Sequence, residues 1–306
     1  MKEIYKMDHF FRASGPGSNA KLGLLAKLPG RWRGYGFNLI ARPARQGVPA
    51  NPPFFLMLNG TKETLEFSAI GGDIPNRGDI EPTIALHAVT YLQSVSDFTD
   101  NTGLHKEPGL WVHVPENAEG KEAYVRQATI PHGDSLLSQS TFFTTVAGGP
   151  NIQPVNSLPF ALAEPIQNLN EDPAHPLGSP YIDPYKTTPL PDFGLPVALD
   201  PVKTIQDPTE ILRAQIAGQT ITSTDVIVIT TAGPADGGAD GNGILNIPFV
   251  IKNANASRMD AIFWIETVTD EESESEFYQL QYVQRVILDF DGVHWPHISV
   301  ATLIKE

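Results

Sequence analysis

The sequence has no cysteine. Disulfides, thiolate zinc sites, iron–sulfur clusters and cysteine nucleophiles are therefore excluded, and any metal has to be held by histidine, by carboxylate or within a cofactor. No apolar run reaches the ~18 residues of a membrane-spanning helix, and Met1 is followed by a polar, mixed-charge stretch rather than a leader. A cytoplasmic location is the expectation from this pattern. Basic residues are few: 21 Lys and Arg stand against 35 Asp and Glu, a formal charge of −14. Nucleic acid and anionic membrane are poor partners for such a chain, because affinity for either rests mainly on Lys and Arg. Small molecules remain. A Gly-x-Ser-x-Gly elbow is missing, and no glycine-rich stretch follows a strand and opens a helix, so neither a serine nucleophile nor a phosphate loop has support.

What the 306 residues do contain is strands. After a short apolar piece at 22–26, closed by Leu28-Pro29-Gly30, the stretch 31–40 reads as a first strand. Further strand-like runs at 54–58, 63–70, 84–94, 109–114, 123–130 and 135–146 are bounded by Gly, Pro, Asn or Asp. The runs 247–252, 260–268 and 277–288 and a last strand from 297 follow. No long amphipathic helix interrupts them, which argues for an antiparallel meander and against alternating β-α-β architecture. The fold expected is all-β: an up-and-down, calycin- or lipocalin-like barrel of about ten strands with one or two short helices.

The middle of the chain is different. Thirteen of the 27 prolines lie between residues 150 and 208, which largely precludes regular structure there. The expected layout is one domain over 1–306, with a barrel from 22–146 and 244–306 and a Pro-rich insertion over 147–243. Phe160, Tyr181, Tyr185 and Phe193 are apolar anchors that suit an extended segment pinned to a surface. Within the insertion, Asp207, Pro208 and Glu210 ahead of an apolar stretch ending at Gly218 predict a short helix. The Gly- and Asp-rich loop at 233–243 has ligand spacing too irregular for a calcium loop.

Candidate site residues come from the two ends of the barrel. Asp291-Gly292 signals a tight turn and Pro296 can open a strand, so pairing is expected to begin at His297. Alternation then puts His297, Ser299 and Ala301 on one face and Ile298, Val300, Thr302 and Ile304 on the other. An imidazole above two small side chains is what a flat, His-ligated group such as haem needs; a polar strand end at a barrel rim is the plainer reading. In the first strand Trp32, Gly34 and Gly36 share a face, a large plug followed by two gaps usable by a kinked backbone or by a ligand. His105 and Glu107 share a strand face as a metal pair, a proton relay or a structural hydrogen bond would. His87, His113 and His132 lie on or near strands and are not distinguishable as partners of a bound group. His294 reads as a solvated turn residue.

Three stretches together resemble the nitrobindin-like haem-binding barrels of the fatty-acid-binding-protein and lipocalin-like group. Leu28-Pro29-Gly30 leading into Trp32, Gly34 and Gly36 resembles their opening strand. Glu107, Gly109 and Trp111 resemble their central strand, and 282–303 with His297 resembles their closing pair. The resemblance covers about half of the chain, which is nearly twice as long as such barrels. It implies haem b with His297 as the proximal iron ligand, binding of NO or peroxide-type ligands, and peroxidase-like or peroxynitrite isomerase chemistry. On that reading Trp32, Gly34, Gly36, Ser299 and Ala301 would border the cofactor. The alternative is a non-enzymatic carrier of a fatty acid or pigment, with His297 incidental. Finally, an outward row of Ile298, Val300 and Ile304 has to be covered by the N-terminal arm, the insertion or another subunit. The expectation is a homo-oligomer with residues 150–205 in its interface.

Overall fold

The computed structural model describes residues 19–44, 54–78, 83–117, 120–130, 132–173, 175, 177–191, 198–233, 243–270 and 273–306. Ten long strands close into an antiparallel barrel: β1 (Gly30–Pro43), β2 (Phe54–Ala69), β4 (Ile84–Asp97), β5 (Gly103–Val114), β6 (Ala123–Ile130), β7 (Asp134–Ala147), β9 (Thr220–Thr230), β11 (Asn255–Thr269), β12 (Glu276–Phe290) and β13 (Val293–Lys305). Neighbours in the barrel follow chain order throughout, and β13 closes on β1, with Asn38 opposite Ser299 and Gly36 opposite Ala301. This is an up-and-down barrel, which leaves its ten main strands without a free edge. Three short strands hang on it: β3 (Ile74–Asn76) on β4, β8 (Phe160–Ala161) on β13 and β10 (Ile244–Asn246) on β7. Among the described residues no helix is long and apolar enough to cross a membrane.

One wall strand lies outside the ranges expected for the barrel. β9 lies inside the range 147–243 assigned to the insertion, yet it pairs with β7 on one side and β11 on the other. The true excursion runs over 148–219. Its β-branched stretch from Thr220 carries strand propensity and a two-faced burial pattern, which is why it joins the wall. The run at 247–252 is not a strand either: Pro248 cannot donate to a ladder and opens the helical turn α4 (Pro248–Ile251) instead. The calcium-like loop, the N-terminal arm and the acidic hairpin tip fall wholly or partly on residues 234–242, 1–18 and 271–272, outside the described residues.

There are two cores. Inside the barrel Trp32, Leu65, Phe67, Trp111, Tyr124, Phe263, Ile265, Tyr282 and Leu303 pack with Leu22, Leu25 and Leu28 from the 3-10 segment Asn19–Lys27, which closes one end. Trp32 Nε1 donates to Leu28 O at 2.7 Å, so the plug is fixed to the closing segment. Outside the barrel Phe37, Leu39, Trp264, Val283, Ile298 and Val300 form a second core with Ile152, Val155, Tyr185, Ile205, Ile211 and Leu212 of the excursion. The excursion carries three short helices: α1 (Pro184–Thr187), α2 (Pro201–Gln206) and α3 (Thr209–Gln215). The last of these is the helix expected from Asp207 onward. Asp207 accepts from Thr209 N at 3.2 Å and from Arg213 Nη2 at 2.5 Å, tying the start of α3 to its last turn. β11 is buried along both faces as a consequence, whereas β7 is largely exposed outside.

The outward row of the last strand finds its cover within the chain. The outward row Ile298 and Val300 is covered by the chain's own excursion, and Ile304 stays partly exposed. Pro296 does not start the last strand but sits within it. β13 pairs with β8 at Val293 and His294 and with β1 only from Ile298, so Pro296 occupies a stretch of edge where no donor is asked for. The Asp291-Gly292 turn forms with positive φ at both residues, 52° and 72°, matching the twist of a tight hairpin.

Candidate functional site

Along β1 the inward row runs from Trp32 at the closed end through Gly34 and Gly36 to Asn38 and Ile40, and beyond the plug the barrel holds a cavity of about 480 Å³. That volume lies within the usual range for a small-molecule site, roughly 300–1,000 Å³. One part of its wall is apolar, with Leu65, Trp111, Leu136, Met259, Phe263 and Val286; the rest carries Glu63, Gln93, Arg126, Gln284, His105, His132 and His297. Val250 and Ala254, in and just after α4, complete the lining.

Of the six residues singled out in sequence, His297 and Ser299 line the cavity. Trp32, Gly34, Gly36 and Ala301 do not. Trp32 is fully buried in the plug and Ala301 in the core below the cavity. The two glycines serve the backbone: a Cβ at Gly34 would collide with Thr302 O and one at Gly36 with Val300 O, so their gaps are filled by the close approach of β13.

His297 is held from β1. Its Nε2 lies 2.7 Å from Asn38 Oδ1, which also accepts from Ser299 Oγ at 3.0 Å. An amide oxygen only accepts, so Nε2 carries the proton and Nδ1 keeps the lone pair. Burial, with His105 and His132 nearby, pushes this imidazole down to about 4, and it is neutral at physiological pH. No described residue hydrogen-bonds Nδ1.

Deeper in the cavity wall is a network that the sequence reading only touched. Glu107 is fully buried on β5 and accepts from Arg126 Nη2 at 2.5 Å and from the Tyr91 hydroxyl. Burial opposes its charge, but the Arg126 guanidinium outweighs burial, helped by His105 and Tyr91, and holds the carboxyl at about 2. Arg126 continues to Tyr91 OH at 2.9 Å and Gln284 Oε1 at 2.6 Å, and lies over the Phe263 ring at 5.5 Å. Glu63 on β2 accepts from Tyr282 OH at 2.6 Å, Thr61 Oγ1 at 3.0 Å and Gln93 Nε2 at 3.3 Å. For Glu63 burial wins over these bonds and the pKa is raised. A signal for these residues existed: Arg126 sits on β6 between Tyr124 and Ala128 on the inward face, and a cation on an apolar face has to find a partner.

The histidines separate into two ends. His105 Nε2 lies 3.2 Å from Glu107 Oε2, and His105 Nδ1 lies 3.3 Å from His132 Nε2, both at the cavity. His87 and His113 sit by the closed end: His113 bridges Lys21 O at 2.8 Å and Glu122 Oε1 at 2.7 Å, and His87 approaches Asp73 at 3.5 Å. His294 is not a solvated turn residue. It is buried against Phe160, with Nδ1 2.5 Å from Asp289 Oδ1, because β8 folds over the end of β13. Among the described residues no group of three or more His, Asp or Glu is placed to hold a bare metal ion.

The fold and this cavity define the class: a closed ten-stranded, antiparallel up-and-down β-barrel with an amphipathic interior chamber. No family model and no curated protein matches the chain. Among solved structures the chain is similar to Rv2717c from M. tuberculosis, with 13% identity, a TM-score of 0.43, and coverage of 96% of this chain and 99% of that one. A likeness that distant carries neither ligand nor activity across.

Proposed function

We propose that the barrel binds haem b, which His297 would hold through its iron. The observation that carries this reading is the state of His297: a neutral imidazole in the cavity wall, with one nitrogen held by Asn38 and the other unbonded. Metal-ligating histidines are usually held in this way, the second N–H being given to an oxygen that fixes tautomer and ring orientation. A single histidine suffices to hold haem iron from the protein side. Trp111, Met259 and Phe263 offer apolar surface to a macrocycle, and Arg42 in the cavity lining is suited to a carboxylate of the cofactor. When bound, haem would supply a site for NO or peroxide-type ligands, and with it peroxidase-like or peroxynitrite isomerase chemistry. The chain's own residues would orient His297, keep it unprotonated and shield the iron from bulk water.

A second reading has its own support. The apolar part of the wall would hold a fatty acid or pigment without any role for His297, making the protein a carrier. Titration of the full chain with haemin separates the two. A Soret band that shifts on binding, and is lost or displaced in His297→Ala, is the expected result. A spectrum unchanged by that substitution removes His297 from the role, and native mass spectrometry showing lipid and no haem favours the carrier.

A further inference from the structure

The excursion covers the outer faces of β1, β11, β12 and β13 but leaves the β7 side of the barrel bare. There β10 lies against the start of β7, with Leu245 opposite Ser135. Ile244 is buried in the inner core, so alternation turns Leu245 outward. Leu137, on the same outer face, has Gly243 beside it, to whose carbonyl its own N–H donates, and a glycine gives it no side-chain cover. Pro248 then opens α4, in which Val250 lines the chamber while Phe249 and Ile251 are open to solvent. Leu245 and Phe249 are 77% and 73% exposed, and Leu137, Ile247 and Ile251 are at least half exposed. Phe142 continues the row along β7.

We propose that this face is the contact between two copies of the chain, related by a twofold axis. Its area points that way. The open surface of Leu137, Leu245, Ile247, Phe249 and Ile251 is on the order of 600 Å², the top of what a monomer leaves bare and close to the ~800 Å² that each partner gives to a stable interface. Charge selects the same face. A chain of formal charge −14 repels its own copies, so they meet at least cost where acids are absent, and no residue from 243 to 251 is charged. An apolar face also matches its own image without any pattern of donors and acceptors, which is what a twofold contact demands. Residues 234–242, which lie outside the described residues, contain no large apolar side chain to serve as cover from within the chain. Because α4 gives Val250 to the chamber lining, the contact would also brace that part of the wall. The inference rests on neither the haem nor the carrier reading.

Sedimentation equilibrium of the full chain across micromolar concentrations is expected to show a species of twice the 33.3 kDa chain mass. Leu245→Asp and Phe249→Asp should each raise the dissociation constant by about tenfold or more, because each sets like charges opposite one another in the contact. Neither side chain is buried, so thermal unfolding of the separated chains should be unchanged. Leu162→Asp, at a leucine of the excursion that is 47% exposed, should leave the dimer intact. Hydrogen exchange should slow with rising concentration over 244–251 and not over 150–205. A monomer at every concentration overturns the proposal, whether or not it binds phosphatidylcholine vesicles. So does a dimer that Leu162→Asp dissociates while Leu245→Asp and Phe249→Asp leave it whole.

Discussion

His297 Nε2 stands 2.7 Å from Asn38 Oδ1 across the seam where the first and last strands of the barrel meet. The contact joins residues 259 positions apart, and it sets which imidazole nitrogen is available to a ligand.

Asn38→Leu is the first test of that relationship. The leucine cannot accept from Nε2, so the ring loses its fixed tautomer, and haemin affinity should fall by about 10- to 100-fold, as for other second-layer partners of metal ligands. Absorbance titration reads it directly, and an unchanged affinity would show that Asn38 does not orient His297.

Removing one side of the buried ion pair should be costly. Glu107→Gln leaves the Arg126 guanidinium buried without its carboxylate, a change expected to destabilise by about 3–5 kcal/mol in urea unfolding. The wild-type pair also sets an acid limit. The folded-state pKa of Glu107 lies below its ordinary value of 4.5, so its contribution is complete above that value and is lost as pH falls toward about 2. In Glu107→Gln that part of the acid transition should be missing.

Glu266 acts in the opposite sense. On the outer face of β11 it accepts from Gln279 at 2.6 Å, its other oxygen has no partner, and burial raises it to about 7 against that bond. A carboxyl raised in the folded state gives stability that is complete below its ordinary pKa of 4.5 and is lost as pH rises through about 7. Denaturation midpoints should therefore decline from pH 5 to 8 in the wild type. Glu266→Gln should flatten that decline; an identical slope would show that Glu266 is charged throughout.

Tyr185 offers a gain. Its hydroxyl is buried in the outer core with no partner, so Tyr185→Phe removes an unmet polar group and should be neutral or stabilising by up to about 1 kcal/mol. A loss of more than that in thermal or urea unfolding would reveal a partner for the hydroxyl.

Deleting 150–205 tests what covers the outer wall. With all of the excursion but α3 removed, much of the face of Ile298, Val300, Trp264 and Val283 would meet water, and light scattering should show association of the shortened chain. A monodisperse monomer would mean that this face needs no cover.

Much of the barrel was legible because period-2 alternation and turn chemistry are local. The inward row of His297 and Ser299 follows from strand parity, and the Asp291-Gly292 turn from its residue types. Parity says which face a residue joins but not its height along the barrel. Trp32, Gly34 and Gly36 share the inward face with Asn38, yet only Asn38 reaches the chamber. The β-branched stretch from Thr220 falls within the range 147–243 expected to be insertion, because its pairing to β7 spans the whole excursion.

The sequence by itself determined the absence of thiol chemistry, the acidic surface, the meander of strands and the one histidine on the inward face of the last of them. Tertiary structure decided the rest. The pairing of Glu107 with Arg126, of His105 with His132 and of His297 with Asn38 depends on barrel closure, which sets strand register between residues far apart in the chain. The cover over Ile298 and Val300 was likewise decided in three dimensions. Apolar burial has no direction along the chain, and the nearest matching surface was the protein's own excursion.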